Sequence, residues 1–209
     1  MDDARTTGRR RNLESRFDAD RHAVWGTDSK AMANDDPILT GFLNRQLEEA
    51  SALADTSDLL RVTPCDGPPP QRYLVEFRCK GLVLNGRGEV DEQDRFLVGI
   101  TLPSDYLRRA HPAEVLTLLA PKNVFHPNIR GSAICVGRLK PGTPLVDLIY
   151  QCFEILTYSK VTMREDDALN REACVWARNN TERFPIDRRP LKRRTLAIDV
   201  NPVVAAEEQ

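Results

Sequence analysis

The chain has 209 residues, of which 41% are hydrophobic and 29% are charged, and its formal net charge is −1 at pH 7. This length suits one domain of about 100–200 residues with extensions. A near-neutral chain gives no indication of nucleic-acid binding as a whole, and no apolar run approaches the roughly 20 residues that span a membrane. The first residues lack the apolar region of a secretory signal. We therefore expect a cytoplasmic protein whose partners are neither membranes nor nucleic acids.

Five cysteines and three histidines limit the kinds of site that the chain can form. The number of cysteines is odd and no two of them form a CxxC pair, which argues against a disulfide framework and against a zinc site. We therefore predict no metal and no other cofactor. In a reducing cytosol the cysteines should be thiols, most of them buried, and one of them could be reactive. The five are Cys65, Cys79, Cys135, Cys152 and Cys174.

The N-terminal half predicts an arm, a helix and then strands. Residues 1–36 are polar and show little periodicity, which indicates a mobile arm. After Pro37, apolar residues recur at three- and four-residue steps, as a helix with one buried face requires. A turn is predicted at residues 85–88, where Asn and Gly tolerate positive φ. Alternating patterns predict strands at residues 59–63, 71–84 and 95–102, with a fourth at 114–119.

The C-terminal half predicts a long loop, two helices and a tail. Residues 120–143 form an irregular stretch of a length that is uncommon in compact domains and often functional. Thr143 and Pro144 are typical of the N-cap and the first residue of a helix. The segment Asp166-Asp167-Ala168-Leu169 predicts the start of another helix. We interpret residues 37–182 as the domain and 183–209 as a tail that is first basic and then acidic.

Three short motifs occur in the chain, one within the long loop, one upstream of it and one downstream of it. The loop contains His126-Pro127-Asn128-Ile129 followed by Gly131-Ser132-Ala133-Ile134-Cys135, which is similar to the active-site stretch of ubiquitin-conjugating (E2) enzymes. Upstream, Leu102-Pro103-Ser104-Asp105-Tyr106 resembles the family's Pro-x-Asp-Tyr-Pro. Downstream, the segment from Asp166 to Ala173 resembles Asp-Pro-Leu-Asn-x-Glu-Ala at a helix start. The resemblance covers about residues 37–180.

The resemblance implies an α+β fold of the ubiquitin-conjugating (UBC) type. Its elements would be an N-terminal helix, a four-stranded antiparallel meander, an active-site loop and two C-terminal helices, with the family's fourth helix missing. The chain would receive a ubiquitin-like protein from an E1-like enzyme as a thioester and pass it to an acceptor lysine of a target protein. Leu107 stands where the family has Pro, and the Trp that commonly follows the active cysteine is absent. In these departures the chain looks more like bacterial members of the fold, which are encoded beside an E1-like enzyme and a ubiquitin-like protein in operons of antiviral defence.

The resemblance also implies roles for the residues of the loop. Cys135 would be the acyl carrier, which suits a thiol because amines attack thioesters readily. Asn128 would hold the oxyanion of the aminolysis step or brace the loop as a turn residue, and one residue can do both. His126 would fix the loop through a structural hydrogen bond rather than act as a base.

An acidic residue would complete the site. The attacking lysine must be neutral although its free pKa is about 10.4, and a nearby carboxylate can orient the amine and accept its proton. Asp167 aligns best with the family's acidic residue, and Asp166 is the alternative. Asp167 could instead be a helix N-cap, a position that aspartate favours.

Two functions of other classes remain open. A non-catalytic module of the same fold would bind a ubiquitin-like protein without carrying it, although inactive relatives lack the cysteine that this chain has. A cysteine hydrolase would need His126 as a base within hydrogen-bond reach of Cys135. The basic stretch 183–194 could dock an acidic partner or nucleic acid, but such stretches are more often solvated.

Overall fold

Helix α1 (Pro37–Asp55) begins where the sequence predicts a helix. The computed structural model describes residues 36–193 of the chain. The Asp36 carboxylate accepts hydrogen bonds from the amides of Ile38 and Leu39 at 2.9 and 3.2 Å, which satisfies donors that a helix start leaves open. The buried face of α1 consists of Leu39, Leu43, Gln46, Ala50 and Leu53.

Four antiparallel strands form the main sheet: β1 (Leu60–Pro64), β2 (Arg72–Phe77), β5 (Phe96–Thr101) and β6 (Leu116–Ala120). They are hydrogen-bonded in the order β1-β2-β5-β6. Side chains alternate between the two faces of a strand. One face of this sheet shares a hydrophobic core with α1 and with the helix Leu145–Leu156. The α+β class is therefore confirmed, and the alternating residues Tyr73, Val75 and Phe77 of β2 are fully buried.

A hairpin interrupts the meander between β2 and β5. The sequence predicts one strand at residues 71–84, but a separate strand, β3 (Gly81–Leu84), pairs with β4 (Val90–Gln93) in a second sheet. The single-strand prediction is wrong, because alternation does not reveal where a chain changes its pairing partner. The turn predicted at 85–88 is confirmed: the Gly88 amide donates to the Asn85 carbonyl at 3.0 Å, and φ of Gly88 is 79°.

Short elements also occur where the sequence predicts none. Helix α2 (Pro112–Val115) takes the first residues of the strand predicted at 114–119, so that β6 begins later than expected. Within the long loop 120–143, β7 (Ile129–Arg130) pairs with β8 (Ala133–Ile134).

Helix α3 (Leu145–Leu156) is capped by a contact from α1. Pro144, rather than the predicted Thr143, occupies the N-cap position, and no side chain of the N-cap residue takes part. The Leu145 amide instead donates to the side-chain oxygen of Gln46 at 2.7 Å. A tertiary hydrogen bond thus satisfies a donor that the sequence-based prediction assigned to a local cap. The buried face of α3 comprises Leu145, Leu148, Ile149, Cys152, Phe153, Ile155 and Leu156.

Helix α4 (Arg171–Arg178) begins later than the sequence predicts. Asn170 is its N-cap, and the side-chain oxygen of Asn170 accepts a hydrogen bond of 3.1 Å from the amide three residues further on. Asp166 and Asp167 lie in a turn before the helix, so the prediction that they open it is wrong, and the alternative in which Asp167 is its N-cap does not hold. Aspartate and asparagine are similar N-caps. A tertiary contact favours Asn170, because its backbone amide donates to the Pro127 carbonyl at 3.1 Å.

The chain after α4 continues to pack on the domain. Up to residue 193, α4 is followed by a short 3-10 helix (Thr181–Arg183) and by no further α-helix. The buried Asp187 carboxylate accepts a hydrogen bond of 2.8 Å from the Lys80 amide, and Leu191 is 2% exposed. The packed chain therefore extends past the boundary predicted at residue 182. Residues 1–35 and 194–209, on which the predicted arm and the acidic end fall, lie outside the described residues. None of the helices between residues 36 and 193 combines the length and apolar character needed to cross a membrane.

Candidate active site

Cys135 directly follows the β7-β8 hairpin and is partly exposed. Gly131 lies in the turn of this hairpin at φ 60°, a conformation that favours glycine. The Leu118 amide of β6 donates to the Ser132 carbonyl at 2.8 Å, which joins the hairpin to the main sheet. The Cys135 amide donates to the Asn128 carbonyl at 2.8 Å. The backbone therefore presents this thiol at the surface in a fixed position.

The remaining cysteines are poorer candidates for a nucleophile. Cys79, Cys152 and Cys174 are buried, and Cys65 is exposed. Burial raises the pKa of Cys79 and of Cys152 to about 12, and desolvation also raises the pKa of Cys65 and of Cys174. These thiols are less reactive because the thiolate is the nucleophilic form. Between residues 36 and 193, no group of three or more His, Cys, Asp and Glu side chains is arranged to hold a metal ion.

The Asn128 side chain connects the Cys135 loop to the segment after α3. Its Nδ2 atom donates to the Cys135 carbonyl at 3.0 Å, and its Oδ1 atom accepts from the Thr162 amide at 2.9 Å. Asn128 is 5% exposed, and both of these hydrogen bonds are partly buried. The side chain therefore braces the loop at the residue that bears the thiol.

His126 is fully buried and neutral. Its Nδ1 atom accepts a hydrogen bond of 2.9 Å from the backbone amide of Asn128. Burial lowers the pKa of His126 to about 3. The proton of the neutral ring is therefore on Nε2, because Nδ1 acts as an acceptor. The ring packs edge-on against Tyr158, with the ring centroids 4.3 Å apart. The contacts of the His126 ring are therefore with the Asn128 backbone amide and with Tyr158.

The segment after α3 brings in residues to which the sequence analysis assigns no role. Tyr158 adopts φ 60°, and its hydroxyl donates to the Phe125 carbonyl at the start of the loop. Two residues on, the Lys160 ammonium donates to the Val136 carbonyl at 2.9 Å. No periodicity or motif marks Tyr158, Lys160 or Thr162, because their contacts join segments that are distant in the chain.

Asp166 and Asp167 are exposed and share an arginine. The Arg164 guanidinium lies 2.6 Å from the Asp166 carboxylate and 3.4 Å from that of Asp167. The hydrogen bond from Arg164 lowers the pKa of Asp166. Both acids precede Asn170, which is bonded to the Pro127 carbonyl. The acidic turn is thereby linked to the loop that bears Cys135, and the roles predicted for the two acids stay predictions.

A surface cleft lies between the β7-β8 hairpin and the start of α4. Arg130 lines it on the hairpin side, and residues 168–171 line it on the helix side. Two of the lining residues, Arg130 and Arg171, are exposed cations. The cleft is a concave surface on the same hairpin that leads to Cys135.

Comparison with known proteins leaves the family of the chain open. No model of a known protein family matches it, and no curated protein matches it. Among solved structures, the chain is similar to the human ubiquitin-conjugating enzyme E2 G1, with 19% sequence identity. The alignment covers 56% of this chain and 93% of that chain, at a TM-score of 0.40. Similarity at this level does not assign the chain to a family. The function is therefore inferred from the geometry of the candidate site.

Proposed function

We propose that the protein is an E2-type carrier, which accepts a ubiquitin-like protein from an E1-like enzyme as a thioester on Cys135 and transfers it to a lysine of a target protein. The arrangement at Cys135 supports this proposal. Its partly exposed thiol follows a hairpin, and the Asn128 side chain donates a hydrogen bond of 3.0 Å to the Cys135 carbonyl. The loop has the His126-Pro127-Asn128 and Ile134-Cys135 pattern that resembles the E2 active site.

Charging would exchange one thioester for another. The Cys135 thiolate attacks the carbonyl carbon of the thioester on the E1 cysteine, and a bond forms between its Sγ atom and that carbon. The bond between the carbon and the E1 sulfur breaks, and the E1 cysteine leaves as a thiolate. In discharge, the neutral amine attacks the same carbon and forms an amide bond. The nitrogen loses a proton, and Cys135 leaves as a thiolate.

Asn128 suits both of the roles that the resemblance implies. Its bonds to Cys135 and Thr162 support the bracing role. The Nδ2 atom carries a second hydrogen, which can donate to the oxyanion that forms during aminolysis. A side-chain amide donor in such a place contributes about 3–4 kcal/mol to transition-state stabilisation.

Asp167, with Asp166 as the alternative, is proposed to orient the attacking lysine and accept its proton. The acidic turn is tied to the active-site loop through the bond from Asn170 to Pro127. The ion pair of Asp167 with Arg164 is exposed on both sides. Exposed pairs of this kind contribute little to stability, so an incoming amine can displace the arginine.

The environment of His126 argues against the hydrolase alternative. The acceptor atom of its ring is already bonded to the Asn128 amide, and burial lowers its pKa to about 3. A hydrolase base must instead hold a hydrogen bond to the nucleophile. The non-catalytic binding module is the second candidate, and the partial exposure of Cys135 favours the carrier over it.

Thioester formation in a reconstituted reaction tests the proposal. The partners to supply are an E1-like enzyme and a ubiquitin-like protein encoded near the gene, as in the bacterial antiviral operons whose members the chain resembles. With ATP, the wild-type protein should form an adduct that dithiothreitol cleaves. Cys135→Ser should form an adduct that resists dithiothreitol, because oxygen is a poorer leaving group than sulfur.

Cys65→Ser is the matched control, because Cys65 is exposed and lies outside the loop. This variant should charge as the wild type does. A dithiothreitol-sensitive adduct on Cys135→Ser would contradict the proposal. Binding of the ubiquitin-like protein without an adduct in any variant would favour the binding module.

A further inference from the structure

Lys160 reaches the active-site loop although it is distant from it in sequence. Its Nζ atom donates a hydrogen bond of 2.9 Å to the carbonyl of Val136, the residue after Cys135. The Asn128 side chain donates to the carbonyl of Cys135 itself at 3.0 Å. Two consecutive carbonyl groups at the thiol are therefore held by side-chain nitrogen atoms, and one of these nitrogens is a cation.

The charge of Lys160 has no carboxylate partner in the described part of the chain. Between residues 36 and 193, no Asp or Glu oxygen lies within 4.0 Å of its ammonium, whereas Arg164 and Arg178 are both paired with acids. The Lys160 side chain is half-buried, and an unpaired charge that is partly withdrawn from water is unfavourable. The Lys160 charge also acts on the buried Cys152: burial raises the pKa of Cys152 to about 12, and the Lys160 charge partly offsets this rise. A cation in this environment fits a site where negative charge develops.

The end of α3 holds Lys160 in one direction. The amides of Ser159 and Lys160 both donate to the Glu154 carbonyl, at 2.8 and 2.9 Å. Tyr158 adopts φ 60°, a backbone conformation that residues other than glycine rarely adopt. Its ring packs against His126. The backbone strain and the ring contact direct the chain back toward the loop, so Lys160 is supported by its own backbone.

The geometry points to Lys160 as a cationic positioning residue of Cys135, which holds the segment after the thiol and stabilises negative charge at the sulfur. This inference rests on the proposed carrier function. During charging, negative charge moves from the attacking sulfur to the carbonyl oxygen and then to the departing sulfur of the E1 cysteine. During discharge, Cys135 itself leaves as the thiolate. A fixed cation beside the loop stabilises each of these states because it requires no rearrangement during the reaction.

Alkylation of Cys135 tests the charge without any partner protein. Iodoacetate and iodoacetamide attack the same thiolate, displace iodide and form the same type of carbon–sulfur bond, but only iodoacetate is an anion. The rate constants for the Cys135 peptide are measured by mass spectrometry on the full chain at about pH 7.5. In Lys160→Met the ratio of the iodoacetate rate to the iodoacetamide rate should fall about two- to tenfold, as for a charge pair near the surface. Lys160→Arg should restore it.

Arg138→Met is the matched control, because Arg138 is an exposed cation three residues after Cys135. It should lower the ratio less than Lys160→Met does. In the wild type, about 0.5 M salt should also lower the ratio, because salt screens charges over a few ångströms; this measurement needs no variant that has to fold.

Three results would overturn the inference: an unchanged ratio in Lys160→Met, an equal fall in Arg138→Met, or a ratio in the wild type that does not respond to salt. If Lys160→Met changes both alkylation rates by the same factor, the role of Lys160 is structural and the charge plays no part. Failure of the carrier function is distinguishable, because it appears in the thioester assay with Cys135→Ser and leaves the alkylation ratio unaffected.

Discussion

Replacing His126 with asparagine should reduce the loss of stability that the protein undergoes in mild acid. His126 is 0% exposed, and burial lowers its pKa to about 3, whereas a histidine in an unfolded chain has a pKa of about 6.5. Between these two values the unfolded chain binds one proton more than the folded chain. The stability that the neutral ring contributes is therefore fully present above about pH 6.5 and is lost as the pH falls toward 3.

The two pKa values set the size of the effect. From about pH 7 to pH 5, protonation of this one imidazole favours the unfolded state by about 2 kcal/mol, since each pH unit below the unfolded pKa contributes about 1.4 kcal/mol. Asparagine does not titrate, and its side-chain oxygen can replace the Nδ1 acceptor that binds the Asn128 amide at 2.9 Å. The drop in the free energy of unfolding between these pH values should thus be about 2 kcal/mol smaller in His126→Asn than in the wild type.

Urea unfolding at both pH values measures this difference. His111 is exposed, so His111→Asn is the matched control that removes a histidine without removing the buried one. The carboxylates contribute to the acid sensitivity of all three proteins and cancel in the comparison. A wild-type drop in His126→Asn would refute the claim that the buried ring stays neutral. An equally reduced drop in His111→Asn would show that the effect does not come from burial.

The remaining predictions concern three other positions. Asn128→Ala should lower the free energy of unfolding by about 2–4 kcal/mol, because two backbone groups lose their side-chain partner. In single-turnover assays it should slow discharge more than charging, and equal losses in both steps would leave Asn128 with the bracing role alone. Asp167→Asn should change stability by less than about 0.5 kcal/mol, since the carboxylate is exposed. It should slow discharge near neutral pH and regain most of the rate at higher pH, where the free amine exists without help; wild-type rates throughout would exclude Asp167 as the base. Gly81→Ala should destabilise the fold by about 1–3 kcal/mol, because a Cβ atom there would lie 2.5 Å from the Leu156 carbonyl oxygen. A thermal melt checks this, and a wild-type melting temperature would mean that β3 and α3 can separate at no cost.

Much of the secondary structure could be predicted because its causes are local. The apolar spacing after Pro37 predicts α1, and the alternation at Tyr73, Val75 and Phe77 predicts the buried face of β2. The Asn and Gly residues at 85–88 predict a turn because they tolerate the backbone conformations that it needs. In each case the relevant interactions involve residues within a few positions of one another.

The candidate site could be predicted in part. The motif around Cys135 predicts the loop as the candidate site, and the hydrogen bond of His126 agrees with the structural role expected for it. The sequence does not predict the contacts of Lys160 and Tyr158, because each of them contacts the loop from a segment more than 20 residues away. The functional roles of Cys135, Asn128 and Asp167 stay predictions.

The amino-acid sequence by itself determined the amphipathic helices, the alternating strands and the loop that carries Cys135, since their patterns reflect the periods of helix and strand. Only the tertiary structure decided between elements of similar local preference. It divided the strand predicted at 71–84 into β2 and β3 through their different pairing partners. It set the start of α4 at Asn170, whose amide binds Pro127, although the aspartates before it have the same local tendency. It also packed the chain around Leu191 onto the core. Such choices depend on hydrogen bonds and contacts between residues far apart in the chain, and these form only when the whole domain has folded.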